Sequence, residues 1–175
     1  RETEWGLLSC DGHKGVHELI KDLNKLYKEK PALYALDTHP EGFEWINCIS
    51  PEKCMVSFLR KTQKKNDTLV VVANFANMEQ EFVIGVPYEG KYTEILNTDD
   101  ERYGGLGRVN GEARFVEEEE VDGKTYSFKM TSAPLSASIL IYTPYNEEEK
   151  KQIARKKRIL AAEKKAETAA GVAAL

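Results

Sequence analysis

Carboxylates dense enough for acid–base or glycosyl-transfer chemistry occur at two places, Asp99-Asp100-Glu101 and Glu117 to Glu120. Cutting a glycosidic bond needs two carboxyl groups held about 5–9 Å apart by a rigid scaffold. Both runs fall in loop or strand-end contexts, where a solvated surface is the ordinary reading. His13 and His17 stand four apart, a spacing that seats two metal ligands on one helix face, but no third ligand follows and His39 is remote. No metal and no cofactor are expected. Gly104, Gly105, Gly107 and Gly111 lie close together, yet neither a phosphate-cradling Gly-Lys-Ser/Thr loop nor a Gly-x-Ser-x-Gly elbow is present. Cys10, Cys48 and Cys54 are odd in number and lack metal-ligand spacing. Cys48 and Cys54 fall in predicted strands and are expected to be small core residues rather than nucleophiles. The residues of this chain therefore supply no catalytic group.

Aromatic side chains offer binding instead. A Trp or Tyr face can pack against the apolar face of a glucose ring, and Trp45 and Tyr103 are the candidate substrate-binding residues. Trp45 alternates with Phe43, and Tyr103 sits among glycines. The competing reading for each is burial, in the core or against a neighbouring domain.

The elements that must position them fall into three segments. Residues 12–30 place Val16, Leu19, Ile20, Leu23, Leu26 and Tyr27 at three- and four-residue steps, an amphipathic helix that Pro31 stops. From about residue 36 the period becomes two. Strands are predicted at 43–48, 54–60, 68–75, 81–86, 90–97, 113–118, 125–130 and 135–142, divided by turn residues. Val121 to Lys124 carries the Asp-Gly pair of a tight hairpin. Short strands at this spacing predict a mainly β antiparallel sandwich, with an irregular glycine-rich loop at 98–112. After Pro144, Glu147 to Glu149 precede a run of Lys, Arg and Ala with strong helix propensity. That tail is +3, leaving −7 on the body.

Composition narrows the class. The chain has 175 residues, 41% hydrophobic, with a net charge of −4, which disfavours nucleic acid as the partner. Its longest aliphatic run, Leu69 to Ala73, is far short of the roughly 20 residues of a membrane span. With no secretory pattern at the start and few cysteines, a cytoplasmic setting is expected, away from membranes.

The order of particular strings resembles the C-terminal part of bacterial glycogen branching enzymes, of the α-amylase superfamily. The strings are Trp5-Gly-Leu-Leu8, His13-Lys-Gly-Val16, Asp22 to Tyr27, Pro31-Ala-Leu33, Asp37 and Pro40-Glu-Gly-Phe-Glu-Trp-Ile46. Val56 to Arg60, Leu69 to Phe75 with its Asn74-Phe75 pair, Ile84 to Pro87, Leu96 to Asp99 and Tyr103-Gly-Gly105 follow. They cover roughly residues 5–145. The resemblance implies three parts. Residues 1–37 would be the end of a catalytic (β/α)8 barrel and a linker, 38–145 the C-terminal all-β sandwich, and 146–175 a charged helical tail outside the common core. In such enzymes an Asp nucleophile, a Glu acid/base and a further Asp cut an α-1,4-glucan and pass the chain to a 6-hydroxyl. Those barrel motifs are not in this sequence, so an expressed fragment of such an enzyme is expected, with no catalytic residue of its own. Its expected partners are the barrel, which would cover the helix stripe, and α-glucan (glycogen) through the parent enzyme. A free-standing glucan-binding sandwich and the C-terminal domain of a sister enzyme of the superfamily are the alternatives.

Overall fold

The computed structural model describes residues 4–48 and 52–159. Its contacts divide the chain into two units, Arg1–Thr143 and Pro144–Leu175. In the first unit a short 3-10 turn, Trp5–Ser9, leads into helix α1, Asp11–Glu29. Pro31 opens a further turn, Pro31–Leu33, because proline removes the amide that another helical bond would need. Eight strands follow: β1 (Phe43–Asn47), β2 (Met55–Arg60), β3 (Leu69–Asn74), β4 (Gln80–Val86), β5 (Lys91–Asn97), β6 (Arg114–Phe115), β7 (Tyr126–Ser132) and β8 (Ser136–Thr143).

All strand pairs are antiparallel, in a six-stranded sheet ordered β1-β2-β3-β8-β5-β6 and a two-stranded sheet β4-β7. The predicted strand at 113–118 is the one that shrinks. After pairing with β5 the chain leaves that sheet, and Glu117 bridges to Ser127 on β7, so one segment links both sheets. The hairpin at Val121–Lys124 closes as expected, with Asp122 and Gly123 both at positive φ (53° and 68°).

The core between the sheets is built from Leu59, Val70, Val72, Leu140 and Tyr142 on one side and Ile84, Val86, Phe128 and Met130 on the other. A second apolar layer lies on the outer face of the large sheet. There Leu19, Leu23 and Leu26 of α1 pack with Ala32, Leu69, Val71, Ile139 and Ile141. The uninterrupted Leu69–Val72 run thus reflects a central strand with both faces covered, since alternation is lost when neither face meets water.

This packing corrects the expectation that the whole helix stripe awaits a missing barrel. On a helical wheel the stripe splits in two. Leu19, Leu23 and Leu26 face the sheet, whereas Val16, Ile20 and Tyr27, turned further round the axis, remain exposed.

In the second unit residues 147–159 are helical. Asn146 and Glu149 form a reciprocal cap. The Glu149 amide donates to Asn146 Oδ1 (2.8 Å) and the Asn146 amide donates to Glu149 Oε2 (2.9 Å). The remainder of the predicted tail helix, from residue 160, lies outside the described residues.

Candidate functional site

The outer face of the large sheet carries the candidate surfaces. On β1, Phe43 and Trp45 are two residues apart and share a face, and Phe58 of β2 is the register partner of Trp45. Their rings form a cluster: Phe43–Trp45 centroids lie 4.8 Å apart edge-on, Phe43–Phe58 5.1 Å and Trp45–Phe58 5.8 Å. Trp45 is 50% exposed, held upright by neighbours that bury its flanks. Arg60, two residues along β2 on the same face, donates from Nε to the Ala32 carbonyl (3.2 Å) and from Nη2 to that of Leu33 (3.1 Å). It also pairs with Asp37. These bonds fix the segment after α1 to the sheet, so Trp45 and the exposed flank of α1 lie on one side of the domain. The Phe58 partner was missed in the sequence, whereas the i, i+2 spacing of Phe43 and Trp45 already signals the common face of those two.

Between those rings, Glu44 points the other way and receives Lys124 and Lys61. Hydrogen bonds from Lys124 and then Lys61 hold its carboxyl below the usual carboxylate range against the opposing effect of burial. The two lysines more than offset this carboxylate, leaving one net positive charge beside the aromatic cluster.

Tyr103 is placed differently. It is 8% exposed, on the turn Glu101–Tyr103 inside the glycine-rich loop, and its hydroxyl donates to Asp22 of α1 at 2.7 Å. The Arg102 guanidinium covers its ring at 4.6 Å and also reaches Asp22 (3.0 Å). Burial first, and then the bond to Asp22, pushes the Tyr103 phenol up to about 12. The same bond, with Arg102 beside it, lowers the Asp22 carboxyl below its usual value although burial acts against it. Tyr103 offers no open ring face to a sugar; it fastens α1 to the loop.

That loop is far more ordered than its glycines suggest. Glu94 accepts from the Asn110 amide (3.0 Å) and from Asn110 Nδ2 (2.7 Å). Asn110 Oδ1 in turn accepts from the Thr131 amide (3.0 Å). Asp99 accepts from the backbone and Nε of Arg108 (3.1 and 3.0 Å); burial opposes its ionisation, and these donors outweigh it, so its carboxyl is lowered. Asp100 caps the turn through the Arg102 amide (3.0 Å). Asp99 and Asp100 are therefore structural. Gly15 of α1 lies directly against the Tyr103 backbone.

The cysteine expectation is also corrected. Cys10, Cys48 and Cys54 are all exposed and unbridged. Cys54 sits at positive φ (48°) in the turn before β2 rather than in the strand, which turns its side chain away from the core. Among the described residues no group of His, Cys, Asp and Glu could hold a metal ion, and no helix is long and apolar enough to cross a membrane.

Residues 45–143 match the family described as alpha amylase, C-terminal all-beta domain. The chain is 43% identical over 142 residues to a 1,4-alpha-glucan branching enzyme of Rubrobacter xylanophilus, covering 79% of this chain and 19% of that protein. To the enzyme so named from Prochlorococcus marinus strain MIT 9515 it is 40% identical over 139 residues, covering 79% and 18%. For that of Geobacillus stearothermophilus the figures are 37% over 140 residues, 79% and 22%. The chain thus spans about a fifth of the length of these curated relatives. An alpha-amylase from H. orenii is similar at 17% identity and a TM-score of 0.38, covering 67% of this chain and 18% of that one. With that family match extending over more than half of its residues, the chain belongs to the alpha-amylase C-terminal all-beta domain family.

Proposed function

We propose that this chain is the C-terminal region of a cytoplasmic 1,4-α-glucan branching enzyme, which cuts an α-1,4-glucan and transfers the chain to a 6-hydroxyl. Residues 1–37 close the catalytic barrel, 38–145 form the sandwich, and 146–175 are a charged tail. The chain carries none of the reacting carboxylates and serves to stabilise the barrel. The observation that carries this reading is the divided stripe of α1. One half is sealed against the sheet, while Val16, Ile20 and Tyr27, with Trp5 (72% exposed) and Leu7 ahead of them, form an apolar flank still in water. An apolar flank of this kind marks an interface, because about 25 cal/mol is gained per Å² removed from water. The test is the branching activity of a longer polypeptide in which a barrel precedes this chain, read from the iodine colour of amylose. Val16→Asp and Ile20→Asp together are expected to lower its thermal stability and its activity, while Lys25→Asp on the solvated flank changes neither. Equal behaviour of both variants would refute the docking role.

Half-exposed Trp45 favours a second reading, in which the sandwich holds glucan by itself. It predicts retardation of this chain in glycogen-containing native gels, abolished by Trp45→Ala with folding intact. Tyr103→Ala is the companion variant; an effect there without loss of folding would argue that the loop also meets sugar. No retardation would leave the aromatic cluster as part of the barrel contact.

A further inference from the structure

The chain contains a single Asn-Gly step, Asn110-Gly111, inside the glycine-rich loop. In such a pair the side-chain amide can be lost without an enzyme, because glycine carries no Cβ to shield its backbone nitrogen from the neighbouring side chain. Gly111 is exposed, at φ 65°, with nothing within 4 Å of where a Cβ would stand. Asn110 is the opposite, 8% exposed and tied at each of its polar atoms. Its Nδ2 donates to Glu94 Oε2 (2.7 Å) and to the Thr131 carbonyl (3.0 Å), and its Oδ1 accepts from the Thr131 amide (3.0 Å). Its amide donates to Glu94 Oε1 (3.0 Å), and its carbonyl accepts from Arg114 Nη2 (3.1 Å).

We propose that Asn110 is a self-modification site gated by closure of this loop, and that its product cannot re-form the closed loop. The Gly111 nitrogen attacks Cγ of Asn110 and gives up its proton. A bond forms from that nitrogen to Cγ, the Cγ–Nδ2 bond breaks, and Nδ2 leaves as ammonia. Water then opens the cyclic imide, leaving an aspartyl residue or its β-linked isomer at position 110. Only water is consumed, and nothing is oxidised or reduced. To bring Cγ to the Gly111 nitrogen the side chain must turn, and both ends of its amide are held. The side-chain bonds to Glu94 and Thr131 therefore open first, and the rate follows the population of the locally opened loop.

The product meets the same partners with the wrong chemistry. A carboxylate at position 110 sets an acceptor against Glu94 and the Thr131 carbonyl, where Nδ2 made two donations, and it adds like charge beside Glu94. The β-linked isomer also lengthens the backbone by a carbon. The same loop carries Tyr103, which bonds to Asp22 and lies against Gly15, so its opening loosens a fastening of α1. None of this depends on the branching reading or on barrel docking.

The test incubates the whole 175-residue chain, folded or unfolded in urea at one temperature and pH, and follows position 110 by peptide mapping with mass detection. Conversion is expected in the unfolded chain and to be about a hundredfold slower in the folded one. That is about 2.8 kcal/mol of local opening, in line with side-chain hydrogen bonds that must break together. Asn110→Asp, the direct product, should speed hydrogen exchange of the backbone amides at 108 and 110, both bonded to carboxylates in the closed loop, by about tenfold. Adding Glu94→Gln puts an amide donor opposite the new carboxylate and should slow that exchange again. Equal conversion in the folded and unfolded chains, or none in either, would overturn the gated site. Exchange in Asn110→Asp at the wild-type rate would overturn the one-way step, and a defect that Glu94→Gln does not relieve would refute the clash as its cause.

Discussion

Replacing Gly15 by alanine separates helix propensity from packing at one position. In a helix interior, glycine to alanine ordinarily stabilises by about 1 kcal/mol. Here a Cβ on Gly15 would stand 2.7 Å from the Tyr103 carbonyl carbon and 3.3 Å from its Cα. Carbon pairs are comfortable at about 3.5–4.0 Å, so the overlap is about 0.8 Å, and it is with backbone that cannot rotate away. Overpacking of this kind costs about 1–3 kcal/mol. If α1 lifts to relieve it, the Tyr103–Asp22 bond is strained as well, at about 1 kcal/mol. Against the propensity gain, the expected net loss is about 2 kcal/mol, a fall in Tm of roughly 4–8 °C for a chain of this size. Gly12, in the first turn of the same helix, has nothing within 4 Å of the equivalent position. Gly12→Ala should therefore raise Tm by a few degrees at most. Paired thermal melts by circular dichroism decide the matter. A Gly15→Ala protein that melts with or above the wild type would refute the reasoning.

Four further outcomes follow from the titrating pair Tyr103–Asp22, from Arg60 and from the cysteines. The Tyr103 phenol is pushed up to about 12 in the folded chain, above its ordinary 10, so its stabilising contribution is complete below pH 10 and is lost as pH rises through 12. The alkaline fall in Tm should flatten in Tyr103→Phe, and identical alkaline slopes would contradict this. At the acid end, Asp22 contributes above the usual carboxylate value and loses its contribution as pH falls through its lowered one, so the same variant should weaken that arm too. Arg60→Ala removes two charged hydrogen bonds to backbone carbonyls and should cost about 2–3 kcal/mol in urea unfolding. Arg60→Lys should recover little of it, since an ammonium cannot reproduce the fork. All three cysteines should react with a thiol reagent without denaturant; a slowly reacting class would contradict their exposure.

The strands were legible because this sheet alternates along most of its length and its turns carry their own residues, as at Asp122-Gly123. The double-sided burial of Leu69–Val72 was visible as an aliphatic run, though only the position of α1 explains it. Three features were not legible. The glycine-rich loop reads as irregular, because its order comes from Glu94, Asp99, Arg108 and Asn110, polar residues whose pairing spans 9–16 positions. The helix stripe reads as one surface, because periodicity defines an apolar arc but not how two neighbours share it. Tyr103 reads as a loop aromatic that could be open or buried, and what buries it is not legible, because its partner Asp22 lies 81 positions away. Trp45 could be placed on a face but not its exposure, which depends on Phe58 from the next strand.

The docking role of α1 is tested most directly by thiol labelling of Ile20→Cys, with Cys10, Cys48 and Cys54 replaced by serine. Rates would be compared between this chain alone and a longer, branching-competent polypeptide that contains it, with Lys25→Cys as reference. The account predicts rapid labelling of Ile20→Cys in the chain alone, strong protection in the longer protein, and the same rate for Lys25→Cys in both. Equal labelling of Ile20→Cys in the two proteins would contradict it.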